Sequence, residues 1–177
     1  KRSKIPRQLC DSENVTYVPV DFTHQSLTKQ LMDAGFDQSK STVITLEGVS
    51  QYITKEAVSS TIKEMATLTQ KANSIFFISY VDERLNTNPE ACFGKGYPKA
   101  AKRAEIIKYL SAKAGEPWIS FYPAEEVENV LLQNGYFIKE NLTLTDLNSQ
   151  YFAPVGRTLL ENQLFNLEHF VIAQSQD

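Results

Sequence analysis

The sequence is poor in the residues that build metal centres and disulfide frameworks. Its 177 residues hold two cysteines, Cys10 and Cys92, and two histidines, His24 and His169. The cysteines form no CxxC pair, so a zinc cluster is excluded and a reduced, cytoplasmic chain is the simplest expectation. Glycine is sparse too, with seven in all. Gly94-Lys95-Gly96 starts like a phosphate loop, but Lys99 stands where a further glycine is needed and no strand leads straight into it. A flexible turn is the stronger reading. Long apolar runs are missing as well. The longest, Ile75 to Val81, contains Ser79 and Tyr80 and is far too short to cross a bilayer. Nor is there a basic excess. Lys and Arg number 18 against 21 Asp and Glu, a net charge of −3, so no general field exists to hold nucleic acid.

Two patterns carry little weight. Asn14-Val15-Thr16 and Asn141-Leu142-Thr143 fit the glycosylation signature, which is common by chance, and no signal segment accompanies them. The first residue is Lys1 rather than Met, which leads us to expect that a preceding segment exists.

Aromatic residues are plentiful. Ten Phe, eight Tyr and one Trp supply the apolar surface of an ordinary folded domain. Val15 to Asp21 reads as a strand, with Pro19 marking it as an edge because proline cannot donate to a ladder. Ser26 offers a helix N-cap, Leu27, Leu31 and Ala34 share a face, and Gly35 ends that helix. Val43 to Leu46 reads as a short buried strand. Thr54 caps a helix whose inner stripe is Val58, Ile62, Met65 and Thr69. Ile75 to Val81 is the clearest strand, and Asp82 to Pro98 reads as a loop. Helices follow from Pro98 to about Ala112 and from Pro123 to Gly135. Tyr136 to Ile138 reads as a strand, Thr145 to Tyr151 as a short helix and Glu168 to Ala173 as the last strand. Such alternation implies an α/β fold with a mostly parallel sheet. Ligands of such sheets sit beyond the carboxyl ends of the strands, here Asp21-Phe22, Glu47-Gly48 and Tyr80 to Asp82.

Each candidate has a functional and a structural reading. Asp21 either accepts hydrogen bonds from a ligand, with Phe22 covering its ring, or caps the following turn. Glu47 either faces the cleft, where Gly48 lets the backbone approach a ligand, or is an exposed loop carboxylate. Tyr52 either positions a substrate or packs the loop. Lys99, Lys102 and Arg103 form a basic patch that reads best as a solvated face. His24 reads as an exposed turn residue and His169 as structural, and no nucleophile elbow is present.

The segments Val18-Pro19-Val20-Asp21-Phe22, Ala34-Gly35-Phe36-Asp37 and Leu46-Glu47-Gly48-Val49-Ser50-Gln51-Tyr52-Ile53 resemble the leucine carboxyl methyltransferase family. The likeness is strongest to its bacterial branch of S-adenosylmethionine-dependent O-methyltransferases. Gly115-Glu116-Pro117-Trp118, Gly135-Tyr136, Asn141-Leu142, Gly156-Arg157 and Glu168 to Ala173 extend it over nearly the whole chain. The resemblance implies a partial class I methyltransferase (Rossmann-like) fold with an antiparallel last strand. It makes residues 1–177 the C-terminal part of one domain, family strands three to seven. It implies S-adenosyl-L-methionine as cofactor and places its contacts on Asp21, Phe22, Glu47 and Gly48, with Tyr52 near the methyl acceptor. It assigns no metal and no certain catalytic residue. The family's Gly-rich loop and its ribose-binding acid have no counterpart here.

The expected activity is methyl transfer to a carboxylate or hydroxyl of a small molecule or protein. A non-catalytic remnant serving as a binding or assembly module is the alternative. An unpaired sheet edge at Val43 to Glu47 would invite self-association.

Overall fold

The computed structural model describes residues 14–22, 24–69, 71–94, 97 and 99–175. The chain divides into two compact units, Lys1–Asp37 and Gln38–Asp177.

In the first unit, helix α1 (Leu27–Asp33) starts where the Ser26 hydroxyl accepts the Lys29 N–H, as its sequence position leads one to expect. The expected strand at Val15 to Asp21 does not form, because no residue from 14 to 21 joins a ladder. A strand is a pairing, and β-branched residues alone cannot supply the missing partner. Cys10 lies outside the described residues, as do Lys95, Gly96 and Pro98.

The second unit is a four-stranded sheet. Its strands are β1 (Val43–Leu46), β2 (Ile75–Val81), β3 (Tyr136–Thr143) and β4 (Glu168–Ser175), in the spatial order β1-β2-β4-β3. β1 runs parallel to β2, and β4 runs antiparallel to both β2 and β3. The fold is thus α/β, with its last strand reversed as expected. β1 is an edge strand, and Val43 is 70 % exposed.

The alternation of side chains along β2 supplies two cores. Phe76, Ile78 and Tyr80 point to one face. There they meet Val58, Ile62 and Ala66 of α2 (Lys55–Thr69) and Val127 and Leu131 of α5 (Ala124–Gln133). Ile62 and Leu131 have no exposed surface, so each contributes about 1.5–3 kcal/mol by leaving water. Val81 belongs to the second cluster, with Leu85 of α3 (Arg84–Thr87), Cys92, Phe93, Ala100 and Ala104 of α4 (Ala100–Lys113), and Leu167. Burial pushes the Cys92 thiol up to about 11, so it behaves as an apolar side chain.

The local signals explain the helices. Thr54 caps α2 by accepting the Ala57 N–H at 3.2 Å. Pro123 precedes α5, where its missing N–H costs nothing. After α6 (Leu144–Leu147) the chain makes one turn of π-helix over Asn148–Phe152, so the short helix expected there is tighter at its start and wider at its end.

Candidate functional site

The carboxyl ends of β1 and β2 lie side by side, because the two strands are parallel and adjacent. At the tip of β1, Leu46 is buried and Glu47 turns into solvent. Gly48 follows in the left-handed region (φ +63°), with no atom within 4 Å of where a Cβ would sit. Its N–H donates to Ser79 Oγ at 2.9 Å, and the Ser50 hydroxyl donates to the Ser79 carbonyl at 2.8 Å. Two buried serines therefore clamp the loop after β1 onto β2 and leave one side of Gly48 open.

The chain then makes a 3-10 turn over Ser50–Tyr52. The Gln51 carbonyl accepts the N–H groups of Ile119 and Ser120 at 2.8 and 3.3 Å, and Ser120 Oγ donates to the Ile53 carbonyl at 2.6 Å. Gln51 Oε1 and Trp118 Nε1 are buried on these two joined segments and find no hydrogen-bond partner among the described residues. A buried polar atom without a protein partner is uncommon, and a water, an ion or a ligand can satisfy it. Tyr52 is half-buried.

At the tip of β2 the arrangement differs. Asp82 is 4 % exposed and accepts the Arg84 N–H and Nε–H, both at 2.8 Å, and a further contact from Arg84 Nη2. His169 Nε2 lies 2.9 Å from Asp82 Oδ2. The His169 Nδ1 faces Asn141 Oδ1 at 3.3 Å, and the His169 ring stacks on Tyr80 at 5.0 Å. Asn141 Nδ2 donates to Tyr80 Oη at 3.1 Å and to Glu128 Oε1 at 2.7 Å. Burial pushes the Asp82 carboxyl up, but the hydrogen bonds from Arg84 and His169 and the Arg84 charge outweigh it and hold it below its ordinary value. Desolvation pushes the Tyr80 hydroxyl up to about 12. The network joins β2, β3, β4 and α5. It also occupies the amide of Asn141, so that glycosylation pattern is a chance match.

The first unit carries Asp21 and Phe22, both exposed. The Asp21 carbonyl accepts the N–H groups of His24 and Gln25, and its carboxylate meets His24 Nδ1 at 2.9 Å. Asp21 thus closes a turn in the first unit. Glu47, Gly48 and Tyr52 are brought to one edge of the sheet in the second unit. Sequence reasoning missed the roles of Asp82, Asn141, Gln51 and Trp118. The strand-tip rule pointed at Asp82, but its partners lie far away in the chain.

Comparison with known proteins accords with this geometry. Residues 1–66 match the leucine carboxyl methyltransferase family. The chain is also 34 % identical over 137 residues to YktD of Bacillus subtilis, assigned by name to the S-adenosyl-L-methionine-dependent methyltransferases. That alignment covers 77 % of this chain and 41 % of YktD. Among solved structures, an S-adenosylmethionine-dependent methyltransferase from Mesorhizobium loti superposes with a TM-score of 0.59 at 14 % identity, over 95 % of this chain and 73 % of its own. A DUF574 family protein from Streptomyces avermitilis gives 0.60 at 11 %, over 90 % and 55 %. Mycolic acid cyclopropane synthase CmaA1, complexed with SAH and CTAB, gives 0.54 at 11 %, over 97 % and 65 %. The fold is that of the class I S-adenosylmethionine-dependent methyltransferases.

Proposed function

We propose that the protein of which this chain is part is an S-adenosylmethionine-dependent O-methyltransferase acting on a carboxylate or hydroxyl. The observation that carries this reading is the β1 tip, where an exposed carboxylate, an open left-handed glycine and a buried unpartnered amide oxygen share one strand end. Ligands of open α/β sheets bind there. The relatives' names and the SAH in the CmaA1 complex support the choice of cofactor.

The residues present fit part of such a cofactor. Gly48 admits a ligand against its backbone, which a side chain at that position would obstruct. Glu47 would accept hydrogen bonds from a cationic or N–H-bearing part of it. Asp21 and Phe22, on the first unit, are assigned to the cofactor by the family resemblance alone. When bound, S-adenosylmethionine supplies an already activated methyl group. The chain's own residues have only to hold the partners in line and keep water out. Tyr52 and Gln51, just past Gly48, would orient the acceptor oxygen. A carboxylate acceptor is ionised at neutral pH and needs no general base.

The test is calorimetry with S-adenosylhomocysteine on a longer protein that extends upstream of Lys1, and on its Asp21→Ala variant. The variant should bind more weakly by about 1–3 kcal/mol, the cost of leaving a buried ligand donor unpaired. Unchanged affinity would remove Asp21 from the site.

A further inference from the structure

A cavity of about 260 Å³ lies in the second unit. It is lined by Phe93, Tyr97, Phe165, Ile106, Ile107 and Arg103. Two chain crossings build it. Phe93 follows the loop that leaves β2, and Phe165 lies just before β4. The two pair as an isolated antiparallel bridge. Their approach is enforced by Gly94, whose N–H donates to the Leu164 carbonyl at 2.7 Å. A Cβ on that glycine would meet the Glu161 carbonyl at 2.1 Å. β2 ends and β4 begins at the same end of the sheet, where Leu167 O accepts the Asp82 N–H at 2.9 Å.

The lining has a definite chemistry. The Tyr97 ring is tilted 56° to Phe93 at 5.3 Å and edge-on to Phe165 at 6.2 Å. Rings crossed in this way present both faces and edges, the surfaces against which another ring packs well. The Arg103 guanidinium lies 4.9 Å from the Tyr97 ring centre, so the ring holds its position, and its N–H groups meet no partner among the described residues. Lys99 and Lys102 flank it, and the first turn of α4 carries no acid. Lys99 itself is held in the left-handed region (φ 62°), a conformation that costs a non-glycine residue energy and that clusters at functional sites. The cavity is smaller than the roughly 300–1,000 Å³ of pockets that enclose drug-sized ligands.

The geometry points to this cavity as a binding site for a small aromatic carboxylic acid of one ring, with Arg103 holding its anionic group. Three crossed rings and two isoleucines take the ring, and the guanidinium gives the charge complementarity. The volume matches a ligand of one ring. The ligand class rests on the cavity alone and goes beyond the methyltransferase reading.

The test titrates the 177-residue chain with benzoate, benzamide and acetate, without cofactor, by calorimetry or ligand-observed NMR. Benzoate should bind at least about tenfold more tightly than either of the others. Arg103→Gln should abolish the preference for benzoate over benzamide, and Phe165→Ala should weaken both aromatic probes. If Phe165→Ala fails to fold, Ile106→Ala, also partly exposed, replaces it. Equal binding of benzoate and benzamide, or benzoate binding unchanged in these variants, overturns the inference. Benzoate binding that follows the expected pattern, in a longer protein that does not bind S-adenosylhomocysteine, sinks the methyltransferase reading and leaves the pocket. S-adenosylhomocysteine binding without benzoate discrimination does the reverse.

Discussion

The neighbouring tips of β1 and β2 both carry an acidic residue, and they treat it in opposite ways. Glu47 stands in solvent after a buried Leu46, next to a glycine that nothing crowds. Asp82 is buried and held by Arg84 and His169. Position at a strand end therefore does not decide a carboxylate's role. What decides it is whether the chain has already supplied partners. A carboxylate whose hydrogen bonds are met within the fold stabilises it, and one left in water beside open backbone remains available to a ligand.

The comparison can be broken most directly at Asp82. Asp82→Ala should cost about 3 kcal/mol, the low end for removing one partner of a buried pair, because half-exposed Arg84 can be hydrated again. Urea denaturation reads this as a lower midpoint, and an unchanged midpoint would mean the network is ornamental. The same residue should show itself in acid. Its folded pKa lies below the unfolded one, so its stabilisation is complete above about pH 4 and fades as pH falls through the folded value. The stability gap between wild type and Asp82→Ala should therefore close below about pH 4, and a gap that stays constant there contradicts the assignment.

Substitutions at the β1 tip should be milder. Gly48→Ala meets no atom but must adopt φ +63°, so a loss of about 1 kcal/mol is expected. Gly48→Asn should lose less, since asparagine tolerates that conformation. Equal losses would point to crowding rather than strain. Glu47→Gln and Glu56→Gln should both stay within about 0.5 kcal/mol of wild-type stability. Only Glu47→Gln should weaken S-adenosylhomocysteine binding or methyl transfer in a longer protein. Equal effects on binding would mean that the cleft lies elsewhere.

The parts of the fold legible in the sequence are those set by local periodicity. Val43 to Leu46 and Ile75 to Val81 form strands at the expected bounds, and Ser26, Thr54 and Pro123 mark helix starts. β3 reads as ending at Ile138 but continues to Thr143. A bulge between Ile138 and Glu140 breaks the alternation just where two charged residues interrupt the apolar pattern. Val15 to Asp21 fails for the opposite reason, since its local pattern is right and no strand among the described residues pairs with it. The Asp82 network was illegible because its members are brought together by register alone. Tyr80 pairs with His169, and Thr143 with the same histidine, across strands distant in sequence. The cavity at Phe93 and Phe165 depends on the same long-range closure.

The reversed strand β4 has a consequence for how the molecule is made. It lies between β2 and β3, yet it follows both in the sequence. During synthesis, β2 and β3 emerge with no strand to join them, and neither can complete its ladder until the polypeptide has returned to insert β4. High sequence separation of this kind slows closure and prolongs the interval in which bare strands can pair with the wrong chain. The single histidine on β4 is then delivered to Asp82 by the same late event, so the polar lock at the β2 tip reports that the sheet has closed in register.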